Sequence, residues 1–61
     1  MNWKEARKAG VPQRADSLVH TGDVRSRERA VLTLMKEYEL TDWQAVTHWR
    51  EAKRRRAKGK V

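Results

Sequence analysis

Apolar residues recur along this chain at helical rather than strand spacing. Val31, Leu34, Met35 and Tyr38 stand at i, i+3, i+4 and i+7, one face of a 3.6-residue period, and Leu32 widens that stripe. Ser26 suits an N-cap and Glu28 would fall in a positively polarised first turn, so the pattern predicts a helix over 26–40. Thr41, with Gln44 three positions on, forms a capping box, and no breaker follows position 42 until Gly59. Trp43, Val46 and Trp49 are expected along one side of this second helix, continued by the stem of Lys53. A turn of about two residues between the two helices implies a helical hairpin or a steep crossing.

The first third of the chain is more broken. Asn2 followed by Glu5 opens residues 2–9 in the manner of a capping box, Trp3 and Ala6 share one side, and Gly10 and Pro12 end the run. Residues 11–25 read as a two-turn helix led by Pro12 and carrying Ala15, Leu18 and Val19, followed by a turn. The rival is a small hairpin about Thr21–Gly22, with residues 18–20 facing 23–25. An isolated hairpin is barely stable in water, which favours the helix. The fold class is therefore all-α: a short N-terminal helix plus a helical hairpin, the last helix running into a basic tail.

Sixty-one residues make at most one domain, and such a chain buries only about 60% of its unfolded surface. Small scaffolds of this kind usually add a disulfide, a metal or a partner. Cysteine is absent, and His20 and His48 stand too far apart in sequence to suggest a ligand pair, so neither disulfide, metal nor cofactor is expected. Self-association as a homodimer, or docking on a larger partner, remains as a source of extra buried area. No apolar run approaches a membrane span or the core of a signal peptide, so a cytoplasmic or nucleoid-associated protein is expected.

Charge changes the picture most. Residues 1–24 have a net charge of +1, residues 25–52 are balanced, and residues 53–61 hold six basic residues and no acid. The chain divides on this reading into a helical body, 1–52, and a basic C-terminal tail, 53–61. One or two cations complement the negative end of a helix. Six in nine residues exceed that need and point to a polyanion bound through counterion release. Lys53, Arg54, Arg55, Arg56, Lys58 and Lys60 are the candidate phosphate contacts, on DNA or RNA. A solvated tail and an acidic protein surface are the blander readings.

The segment Leu34–Arg50 resembles a helix-turn-helix in having a short turn before Val46-Thr47-His48-Trp49-Arg50. In such a motif the exposed early residues of the second helix touch base edges, which would make Gln44, Thr47, His48 and Arg50 the readers. The register departs from the motif at Lys36, where alanine is usual, and at Leu40, where glycine is usual, and these departures favour plain helix packing. Trp43 and Trp49 read first as core anchors against Leu34, Met35 and Tyr38. In the sharper reading they and Trp3 fill pockets on a protein partner, as interface tryptophans do, or stack on unpaired bases.

Asp16, Ser17, His20 and Asp23 are the only cluster of acid–base types, in a stretch whose composition is that of a turn. No phosphate loop or paired carboxylates accompany them, and an enzyme is not expected. Two functions follow from the sequence. The first is a small basic nucleic-acid-binding or transcription-associated regulator. The second is a protein-binding inhibitor or adapter of mobile-element type, docking a host factor through its Trp-bearing helices and meeting an acidic surface with its tail.

Overall fold

The structure is a computed structural model, and it describes residues 1–19 and 24–59, with the side chain of Val24 left aside. It is all-α among those residues: α1 is Trp3–Ala9, α2 Val11–Leu18, α3 Val24–Tyr38 and α4 Asp42–Lys58. The hairpin alternative about Thr21–Gly22 lies outside the described residues, as do His20, Asp23 and Lys60. No helix among the described residues is long and apolar enough to cross a membrane.

Local chemistry sets most of the boundaries. The Asn2 side chain accepts from the Glu5 backbone N–H at 2.8 Å, opening α1. Gly10 closes it in the left-handed region, φ 85°, with its N–H directed at the carbonyls of Ala6 and Arg7. The same glycine is the N-cap of α2, so the chain turns between helices on one residue. A residue with a Cβ would be strained there. Pro12, in the first turn of α2, removes only an N–H that a helix start leaves unused.

The third helix differs from expectation at both ends. It starts at Val24, so Ser26 lies inside it and Glu28 falls beyond the first turn, which holds no acid. It stops at Tyr38 because Glu39 adopts φ 54°. Leu40 then belongs to the turn, yet its side chain is buried and plugs the core. Thr41 and Gln44 make the expected reciprocal box, each backbone N–H donating to the other's side chain at 3.2 Å.

Packing places α4 against both α2 and α3, with α2 also on α3 and α1 on α2. Every helix contributes a buried alanine to the core: Ala6, Ala15, Ala30, and Ala45 with Ala52. Leu34 and Val11 are the largest fully buried side chains. Short side chains allow helices to approach closely, and this choice decides which way α4 faces. Its buried stripe is Ala45, His48 and Ala52, not Trp43, Val46 and Trp49. Trp43 is 66% exposed and is no core anchor. Val46 and Trp49 pack only partly against the core.

Side-chain ties hold the helices in register. Arg14 on α2 grips Glu37 on α3 with two hydrogen bonds, at 3.1 and 2.9 Å, and holds that carboxyl below its ordinary range. Arg55 donates to Asp16 at 3.0 and 2.8 Å and to the Pro12 carbonyl at 3.3 Å. Arg56 donates to the Val19 carbonyl. Arg55 and Arg56 extend the buried face of α4 past Ala52 and so turn back onto α2 and its C-terminal cap. Helix α4 therefore crosses the expected boundary at 52/53 without a break, and part of the basic segment belongs to the body.

Candidate nucleic-acid interface

The outward face of α4 follows from its buried one. With 3.6 residues per turn, Trp43, Thr47, Arg50, Arg54 and Lys58 fall within an arc of about 80°, opposite Ala45 and Ala52. Arg50, Arg54 and Lys58 are exposed. Lys53 lies at the edge of this face, its Nζ 5.0 Å from the centroid of the Trp49 ring. Trp49, Arg50, Lys53, Arg54 and Ala57 line a shallow hollow of about 320 Å³. No acid shares the arc. Asp42 lines a separate groove between α3 and α4, and Glu51 lines the cleft that α4 forms with α1 and α2.

The expected phosphate contacts thus divide. Lys53, Arg54 and Lys58 present their charge outward, whereas Arg55 and Arg56 are taken up by α2, and Lys60 is outside the described residues.

The expected base readers fare differently. His48 is 3% exposed and offers no edge to a base. Burial pushes its pKa below the ordinary value; Glu51 raises it and Arg55 lowers it further, each by a smaller amount. Gln44 is occupied in capping, and its Nε2 also donates to the Met1 carbonyl at 2.6 Å. Thr47 is half-buried, its hydroxyl donating back to the Trp43 carbonyl at 2.8 Å. Only Arg50 of those four stands fully outward. The register implied by the helix-turn-helix likeness is also off by one, since the left-handed turn residue is Glu39 rather than Leu40.

At the N-terminal end of the face three rings touch in series. Trp3 meets Trp43 edge-on, with centroids 5.6 Å apart and planes at 72°, and its ring lies 4.7 Å from that of His48. Trp3 therefore bridges the buried imidazole to the exposed indole. Trp49 is half-buried, and neither its Nε1 nor His48 Nε2, both buried, has a hydrogen-bond partner among the described residues. The i, i+3, i+6 spacing puts Trp43, Val46 and Trp49 along one side of α4, on overlapping but not identical faces. The capping box at Thr41 fixes where α4 starts, and counting turns from it puts Trp43 in line with Arg50 and Arg54.

Compared with protein-family models, curated proteins and solved structures, the chain matches none.

Proposed function

We propose that this protein is a small nucleic-acid-binding regulator that contacts the sugar–phosphate backbone through the outward face of α4. The observation that carries this reading is the segregation of charge: Arg50, Lys53, Arg54 and Lys58 share one exposed face of a single helix, with Asp42 and Glu51 only at its margins. Such a row neutralises successive phosphates and releases their counterions, a sequence-independent source of affinity. The test neutralises the row while sparing the two arginines that hold α2. Arg50→Gln, Arg54→Gln and Lys58→Gln together should weaken binding to DNA or RNA by about tenfold or more near physiological salt. Neutralising Lys4 and Lys8 on α1 should change it little. Equal losses from both sets would refute a localised interface.

A second reading, an adapter or inhibitor docking on another protein, is favoured by one observation. Leu32 and Trp43 are 57% and 66% exposed, and large apolar side chains left in water are common at protein interfaces. Partners recovered from lysate that survive nuclease treatment, and are lost with Leu32→Ser, would favour this reading over the first.

A further inference from the structure

We propose that the face of α4 takes a single strand, with an unpaired base stacked on the Trp43 indole and the following phosphates running along Arg50, Arg54 and Lys58. This inference rests on the nucleic-acid reading above and names the form of polymer it requires.

Three observations lead there. Trp43 is the most exposed large hydrophobic side chain among the described residues, at 66%, so its π surface is open to a ligand. It is also held rather than loose. Trp3 braces it edge-on at 5.6 Å, Trp3 itself rests against buried His48, and the Met1 carbonyl is fastened to Gln44 at 2.6 Å. A braced ring loses little freedom on stacking, which leaves more of the contact energy for binding.

The third observation is alignment. Trp43 and Arg50 are about 10 Å apart along the helix axis, and Arg50, Arg54 and Lys58 then follow in steps of about 6 Å. Those steps are comparable to the spacing of successive phosphates on one strand. Thr47, a short half-buried side chain, lies between Trp43 and Arg50 on this face.

A regular duplex does not satisfy this arrangement. Pairing and stacking cover both faces of each internal base, so an indole on the same face as a row of phosphate contacts would find only base edges or backbone. Single strands offer a π face at every nucleotide, and aromatic stacking is tolerant of base identity. The charge of an acidic protein surface would pair with the cations but does not account for the braced indole beside them.

The experiment compares a fluorescein-labelled oligothymidine with a duplex of equal length, by anisotropy at fixed salt. The wild type should bind the single strand more tightly. Trp43→Ala should weaken single-strand binding by about tenfold to a hundredfold and duplex binding less than twofold. Trp43→Phe, which keeps an aromatic face and the contact with Trp3, should recover most of the loss. If the wild type binds neither polymer, the nucleic-acid reading fails and this inference with it. If it binds duplex as tightly as single strand, or if Trp43→Ala leaves single-strand affinity intact, the stacking inference is overturned while the phosphate reading stands.

Discussion

His48 occupies a position between two jobs, closing the core under α4 and seating Trp3, whose ring lies 4.7 Å away. Its burial depresses its pKa, with Glu51 and Arg55 as the charged neighbours that modify the shift. The consequence for stability has a definite sign. Well above pH 6.5 the imidazole is neutral in both folded and unfolded chains and contributes no pH dependence. Below that value the unfolded chain takes up a proton that the folded one resists, so stability falls as pH drops toward the depressed folded value. The melting temperature should therefore decline between about pH 6.5 and pH 5, whereas a His48→Leu variant should show a flatter profile over the same window. At pH 7 that variant should melt no lower than the wild type, because it removes a buried nitrogen that lacks a partner. Identical profiles for the two proteins would contradict the burial of His48. Sequence alone gave His48 a hydrogen-bonding role, because imidazole is a common reader and nothing local marks it as interior. What buries it is its place at i+3 from Ala45 and i−4 from Ala52, and alanines carry a weak hydrophobic signal.

At the level of single elements, α4 is the best-specified helix and also the one whose orientation misleads. Its start was legible from Thr41 and Gln44, and its run through the basic residues from the absence of any breaker before Gly59. Thr41→Ala should lower stability by about 1 kcal/mol, or roughly 4–8 °C in melting temperature for a domain of this size. An unchanged melt would mean the box seen at 3.2 Å contributes nothing in solution. The apolar stripe of α3 was equally legible, since Val31, Leu34, Met35 and Tyr38 are all buried or packed against the core. Its ends were not. Ser26 is a good cap in isolation, but the helix begins two residues earlier, and Glu39 ends it by a left-handed conformation that glutamate gives no reason to expect. On α4 the three largest apolar residues suggested the inner face, while close packing against two neighbouring helices selects the alanines.

The whole molecule spends its charge in two ways. The expected division into a neutral body and a cationic tail treats the six terminal cations alike. The fold does not, because Arg55 and Arg56 reach back to Asp16, Pro12 and Val19. The net basic excess was legible by counting. Which cations face outward required knowing how α2 lies on α4, a tertiary fact carried by no local pattern. Of the six, Lys53, Arg54 and Lys58 are left to face outward among the described residues, and Arg50 joins them on that side of α4, giving four cations there. That number converts directly into a salt dependence. For a single strand, four phosphate contacts give a slope of log affinity against log salt of about −3. With Arg50, Arg54 and Lys58 replaced by glutamine, one contact remains and the slope should shrink to about −1. Titrations of the folded wild type and the triple variant on the same oligonucleotide should give that pair of slopes if the phosphates run along this face. A shallow slope for the wild type, or a steep one that the triple variant retains, would contradict that placement.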